Sequence, residues 1–372
     1  MRIDLQYEQS PIKIDYSVRG LVRMNLNENL VMPREFVASI LTRCAKELDS
    51  RFYPSDLDEG EMLELKQEIS KYAGCRESLV FLGAGSDQLI DLLCRIRLKK
   101  PTDELVTIKP TFSMYYLRAV TNGSSFSDVP LGYQDNAEDP FTLESALVEK
   151  SCRSKDAKIF VIACPNNPTA IQYPIAQVKE MMDSIPESVT VMLDEAYVEY
   201  ARYNAVPLLR KYQNLMILRT FSKAFGLASH RIGYMLTENE EFAKSFNGGV
   251  QYPFPLPAMS VLLARELLRE KETVIGYAKE AKKLREDLIE ELVEMKRDDF
   301  IPVERSDANF VLVQSPDSEN IARQLLSKYK IAVKYIPSMV AGRSFIRITV
   351  GTEKLNANLI RALKQIRGSR SK

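Results

Sequence analysis

The chain has 372 residues, of which 45% are apolar and 27% charged, an ordinary balance for a globular protein able to bury a large core. Lys plus Arg is 51 and Asp plus Glu is 50, so a formal net charge of +1 gives no electrostatic reason to expect nucleic acid or an anionic membrane as partner. The single histidine, His230, excludes a histidine-rich metal site, so no metal is expected, and the adjacent Arg231 makes it a poor general base.

Cys44, Cys75, Cys94, Cys152 and Cys164 form no C-x-x-C pair and sit mostly in apolar runs, as buried thiols of a reducing compartment do. Residues 1–10 are polar and acidic where a secretion signal needs an apolar run. No stretch reaches the apolar length of a membrane span. These readings predict a cytoplasmic enzyme with small-molecule partners.

From Leu79 onward, apolar runs alternate with helical patterns. Leu79-Val80-Phe81, Leu105-Val106-Thr107-Ile108, Ile159-Phe160-Val161-Ile162, Val189-Thr190-Val191-Met192-Leu193 and Leu215-Met216-Ile217-Leu218 read as strands buried on both faces. The helical stretch 87–97 carries Leu89, Ile90, Leu93 and Ile96 on one face. The alternation predicts an α/β fold, with a large domain built on a mostly parallel sheet flanked by helices. Pro253-Phe254-Pro255-Leu256-Pro257 marks a boundary. Beyond it come an amphipathic stretch, 260–296, and strand patterns at 309–313, 331–335 and 344–350, with helices interspersed, which predict a smaller α+β domain. The expected division is an arm at 1–30 joining the small domain, a large domain at 31–257 and a small domain at 258–372. A short basic tail, 367–372, closes the chain.

In an open α/β sheet, ligands bind beyond the carboxyl ends of the strands, so the residues just after each apolar run are informative. After the first run comes Leu82-Gly83-Ala84-Gly85-Ser86-Asp87-Gln88. This is either a turn whose free amides suit a phosphate or a plain turn capped by Ser86. A dinucleotide fingerprint fails because Gln88 stands where a third glycine is required. After the second run, Pro110-Thr111-Phe112-Ser113-Met114-Tyr115 offers aromatics that can stack on a flat ring or pack in a core. Asn166-Asn167-Pro168-Thr169 reads as a turn. Asp194 comes after five buried residues, where a carboxylate is costly unless paired, as by a protonated ring nitrogen, or spent as a helix cap. Tyr197 lies three residues on. The last run leads to Phe221-Ser222-Lys223-Ala224-Phe225, with Arg231 further on. An apolar setting beside cations favours a neutral, nucleophilic amine.

Taken in order, Asn167-Pro168-Thr169, Asp194-Glu195-Ala196-Tyr197, Ser222-Lys223 and Arg231-Ile232-Gly233-Tyr234 resemble the motifs of fold-type I pyridoxal-phosphate (PLP) aminotransferases. The histidinol-phosphate aminotransferase branch is the most similar, through Asn27-Glu28-Asn29, Tyr53-Pro54, Gly85-Ser86-Asp87, Pro110 to Tyr115 and Ile346-Arg347-Ile348. The resemblance spans nearly the whole chain. It implies that Lys223 carries PLP as a Schiff base and then moves a substrate proton, and that Asp194 pairs with the pyridinium nitrogen. Asn167 and Tyr197 would hydrogen-bond the phenolic oxygen, and Tyr115 would stack on the ring. Gly85, Ser86, Asp87, Ser222 and Arg231 would hold the phosphate. Tyr53 would reach the phosphate of a second subunit, implying a homodimer with shared sites. Arg347 would bind the anionic end of the substrate, with 2-oxoglutarate as amino acceptor and histidinol phosphate or an aromatic amino acid as donor.

Three departures stand out. Ala170 comes after Asn167-Pro168-Thr169 where the family has Gly, which a negative φ would accommodate. Leu30-Val31 replaces Pro-Gly after Asn29. Lys334 stands where that branch carries a second arginine on the substrate phosphate, keeping the charge but losing the bidentate fork. Two other readings remain: a PLP decarboxylase acting on a phosphorylated amino acid such as threonine phosphate, and a ligand-sensing regulator on the same body. Against the latter, no basic helix-turn-helix pattern precedes Asn27.

Overall fold

The computed structural model describes residues 11–56, 58–135, 137 and 139–368. Residues 1–10, on which the reading of no secretion signal rests, and the end of the basic tail lie outside them.

The chain enters through β1 (Val22–Met24), α1 (Arg34–Glu47) and α2 (Gly60–Ala73). It then alternates β2 (Val80–Gly83), α3 (Gly85–Arg97), β3 (Glu104–Lys109), α4 (Met114–Thr121) and β4 (Ser125–Pro130). Next come β5 (Ala157–Ala163), α5 (Ile175–Ser184), β6 (Thr190–Asp194), β7 (Leu215–Thr220) and β8 (Gly233–Thr237). These strands form one seven-stranded sheet in the order β2-β8-β7-β6-β5-β3-β4, in which only β8 runs antiparallel to its neighbours. The predicted α/β layer is therefore present.

The unbroken apolar runs are explained by the two faces of this sheet. Phe160, Ile162, Val191, Leu193 and Ile217 enter one core, while Ile159, Val161, Met192, Met216 and Leu218 enter the other. A strand covered on both sides leaves few positions for a polar residue until it ends, and the exceptions here, such as Thr107 and Arg219, are themselves hydrogen-bonded. That places the first polar side chains after each strand along one edge of the sheet.

The second half holds α6 (Ala258–Arg269), α7 (Lys271–Glu294), β9 (Phe310–Gln314), α8 (Ser318–Tyr329), β10 (Ile331–Val340), β11 (Arg343–Thr349) and α9 (Glu353–Gly368). The smaller sheet has the order β1-β10-β11-β9, with the short strand Ile301–Pro302 at its far edge. β1 joins it parallel to β10, pairing Val22 with Ile331 and Met24 with Val333. A separate core gathers Leu288 and Leu292 of α7, Ile321 and Leu325 of α8, and Leu359 and Leu363 of α9 under this sheet.

The amphipathic stretch 260–296 is two helices broken at Glu270. The proline cluster does not separate the cores. Val261, Leu263 and Leu267 of α6 and Val274 and Ala278 of α7 pack into the larger core, and α7 reaches the smaller one only near Leu288. All five cysteines are free, four of them buried. Among the described residues no helix is long and apolar enough to cross a membrane, and no cluster of His, Cys, Asp and Glu suits a metal.

Candidate active site

Beyond the carboxyl ends of the parallel strands, between the two sheets, lies a cavity of about 260 Å³. Ser86, Asp87, Tyr115, Asn167, Asp194, Tyr197, Ser222, Lys223, Arg231, Lys334 and Arg347 all line it. Residues spread over most of the chain thus meet because they sit on strands or in the segments that flank strand ends at this edge.

The turn after β2 begins α3, whose N-cap is Ala84 with no side-chain cap. Ser86 is therefore inside the first turn, not the cap of a plain turn; the Gln88 side chain accepts the Ala84 amide at 2.6 Å, and among the described residues no side-chain acceptor is seen for the amides of Gly85, Ser86 and Asp87. Gly85 has φ +77°, and a Cβ there would lie 2.7 Å from Arg231 Nη2. Gly233 is fixed by the same approach: its Cβ would meet Arg219 O at 2.9 Å and Ser86 N at 3.0 Å. Arg231 Nη2 donates to Asp87 Oδ2 at 2.8 Å. A helix start and an arginine together make an anion site.

Asp194 ends β6 and is 4% exposed. Its Oδ2 accepts from the Tyr115 hydroxyl at 2.7 Å and its Oδ1 from the Ala196 amide at 3.0 Å. Burial outweighs these bonds and pushes its pKa up to about 6. Among the described residues no Lys or Arg forms an ion pair with it. Tyr115 is expected to stack on a flat ring. Its ring is fully buried and its hydroxyl is spent on Asp194, while Phe112, edge-on to it at 5.7 Å, is the less buried aromatic of the wall. Burial and the Asp194 charge raise the Tyr115 phenol well above its usual pKa, so it remains a donor.

Lys223 Nζ donates to the Leu26 carbonyl at 3.2 Å and stands 5.5 Å from the centre of the Tyr197 ring. Arg347 on β11, whose facing is ambiguous from pattern alone, points into the cavity wall and is 9% exposed. It donates to Asn167 Oδ1, and to the Asn25 carbonyl at 2.8 Å. Lys334 on β10 is its register partner, so two cations sit side by side on the smaller sheet. Tyr53 lies outside the cavity of its own chain, 84% exposed and stacked on Phe254 at 5.1 Å.

Ala170 departs from expectation. Its φ is +65°, the left-handed region that favours glycine, and it is buried. Three contributors lie in or near the motifs but are not assigned a role from the sequence. One is Phe112. Another is Asn27, which donates to the Tyr197 hydroxyl at 3.0 Å, although its motif is plain in the sequence. The third is Arg219 on β7, which holds Glu195 Oε2 through Nε and Nη2 at 2.9 and 2.7 Å in a wholly buried pair. Glu195 also accepts the Ala205 amide, bracing the segment that carries Asp194 and Tyr197.

Residues 24–363 match the model of the aminotransferase class I and II family. The chain belongs to that family. It is 30% identical to histidinol-phosphate aminotransferase 1 of Bacillus anthracis over 364 residues, covering 95% of this chain and 91% of the relative. It is 29% identical to histidinol-phosphate aminotransferase of Ruminiclostridium cellulolyticum over 346 residues, covering 93% and 92%. Its fold is similar to the crystal structure of histidinol-phosphate aminotransferase from Sinorhizobium meliloti in complex with pyridoxal-5'-phosphate, with TM-score 0.80, 23% identity, and 94% and 91% coverage. The L-threonine-O-3-phosphate decarboxylase of Porphyromonas gingivalis shares the fold at TM-score 0.75 and 17% identity, with 93% and 99% coverage.

This aminotransferase is accordingly a PLP enzyme. The residues present suit that cofactor. A buried carboxylate with no ion pair among the described residues faces the cavity, the start of α3 lies beside Arg231, and the Lys223 amine lines the same cavity.

Proposed function

We propose that this aminotransferase exchanges an amino group between 2-oxoglutarate and a donor of the histidinol phosphate or aromatic amino acid kind, with Lys223 as the residue that holds PLP. One observation carries the reading: Lys223, Asp194 and the neighbouring cations Lys334 and Arg347 converge on a single cavity. The relatives named histidinol-phosphate aminotransferases support the donor class.

When bound, PLP supplies an electron sink for charge leaving the substrate α-carbon. Asp194 would pair with the ring nitrogen and keep it protonated, with the Tyr115 hydroxyl holding Asp194 in place. Asn167 and Tyr197 donate at the phenolic oxygen. The α3 start at Gly85, Ser86 and Asp87, with Ser222 and Arg231, binds the phosphate. Phe112 takes the stacking role expected of Tyr115. Lys223 would hold the cofactor and, as a free amine, would move the proton at the substrate α-carbon. Arg347 and Lys334 would bind the anionic end of the substrate.

Tyr53 completes the phosphate site of a second copy in a homodimer. The exposed aromatics Phe52, Tyr53, Tyr252 and Phe254 supply an apolar patch for that contact. No nucleic acid or membrane partner enters the reading, and free thiols suit a cytoplasmic setting.

An amino-donor panel with 2-oxoglutarate tests the assignment. Glutamate should form with histidinol phosphate or an aromatic amino acid. Release of carbon dioxide from threonine phosphate without glutamate would instead make the protein a decarboxylase.

A further inference from the structure

Asn27 is 1% exposed and holds φ +55°, a conformation asparagine tolerates better than most residues. Its backbone is fixed from the side of the smaller sheet. Its amide N–H donates to Thr349 Oγ1 at 2.9 Å, and its carbonyl accepts from Asn309 Nδ2 at 3.1 Å. Because the Thr349 hydroxyl accepts that N–H, its own hydrogen is free to donate to Asn27 Oδ1, 3.4 Å away. This sets the side-chain amide so that Nδ2 faces Tyr197 and donates to its hydroxyl at 3.0 Å. The phenol oxygen is thereby occupied as an acceptor. Among the described residues nothing accepts the phenol hydrogen, and Tyr197 lines the cavity.

We propose that Asn27 is a positioning residue for Tyr197: by donating to the phenol it turns the Tyr197 hydrogen toward the cavity, where the phenolic oxygen of PLP accepts it. The inference rests on the role proposed for Tyr197 at that oxygen. Tyr197 is itself held edge-on by Phe310 at 5.3 Å, so its ring position does not depend on Asn27. What Asn27 decides is the direction of one O–H bond. A phenol that also accepts a hydrogen bond is a stronger donor, because chains of hydrogen bonds polarise one another.

The test is the pH midpoint of the visible absorption change of the PLP-loaded enzyme, compared among wild type, Asn27→Asp, Tyr197→Phe and the double variant. Asp keeps the shape of Asn and tolerates the left-handed backbone, but it accepts where Asn donates, so it captures the Tyr197 hydrogen. The other charged groups on the cavity, Asp87, Asp194, Lys223, Arg231, Lys334 and Arg347, are the same in all four proteins. Asn27→Asp should raise the midpoint by about one pH unit or more, the size of one charge-assisted hydrogen bond. In the Tyr197→Phe background the same change should move it by less than about a third of that, because only the added charge remains. Equal shifts in both backgrounds, or none in either, overturn the inference. A Tyr197→Phe midpoint equal to wild type overturns the role of Tyr197 instead, which keeps the two failures apart. Should Asn27→Asp not fold, Asn27→Gly removes the donor while keeping the backbone. It must raise the midpoint in the Tyr197 protein alone, and no shift there also contradicts the inference.

Discussion

At Asp194 two effects oppose each other and burial prevails. Two hydrogen bonds favour the carboxylate, yet its pKa lies at about 6 against an ordinary 3.8. A carboxyl with a raised folded pKa adds stability that is full below its unfolded pKa and is lost as pH rises through the folded value. In the PLP-free protein about 3 kcal/mol is therefore lost between about pH 4 and 7, and the proposed pairing with the cofactor's ring nitrogen would offset it. Asp194→Asn should remove that loss. Its apoprotein should be more stable than wild type at neutral pH by about 1–3 kcal/mol, while activity falls roughly a hundredfold or more. Thermal melts of the apoproteins across pH, with steady-state kinetics, check both. Near-normal turnover would make Asp194 a structural residue. Its importance is readable from sequence because a carboxylate directly after a doubly covered strand has few harmless explanations. The division of labour between Tyr115 and Phe112 is not readable, since both belong to one short loop and only the packing of α4 decides which ring is buried.

At the level of elements, the parallel strands are legible because burial on both faces leaves unbroken apolar runs. β4, with the sequence Ser-Phe-Ser-Asp-Val-Pro, lies at the sheet edge, is half covered, and carries no such signal. β8 is apolar but short, and nothing in Gly233 to Thr237 shows that it runs against its neighbours. The turn at Ala170 is a different case. The motif is visible, but its backbone is not, and the positive φ emerges only from the way the turn is clasped: Ala170 donates to Asn166 O at 2.7 Å and accepts from Asp307 N at 2.7 Å. A non-glycine residue there costs about 1–2 kcal/mol, while glycine would forfeit a buried methyl of about 0.8 kcal/mol and about 0.5–1 kcal/mol of chain entropy. These nearly cancel. Ala170→Gly should therefore change stability by less than about 1 kcal/mol, whereas Ala170→Val, β-branched and too large for the site, should cost at least about 2 kcal/mol. Denaturant unfolding of the two variants measures this, and a large gain for glycine would mean that the strain is undercounted.

For the molecule as a whole, the cavity is formed where two sheets meet, and the strip Asn25-Leu26-Asn27 joins them by touching Arg347, Lys223 and Tyr197 in turn. The sequence shows both layers but not this seam, because contacts between residues more than 150 apart leave no local pattern. The proposed homodimer makes its own prediction. Inactive Lys223→Ala subunits mixed with inactive Tyr53→Glu subunits should regain activity, since one site of each mixed dimer receives both native residues. Mixed dimers verified by tagged co-purification yet devoid of activity would confine Tyr53 to packing. The proposed attachment of the cofactor to Lys223 underlies every other role assigned to the cavity. Borohydride reduction of the PLP-loaded enzyme, with peptide mapping of the product, tests it most directly: the account predicts one irreversible label, on Lys223, and a label on any other lysine would contradict it.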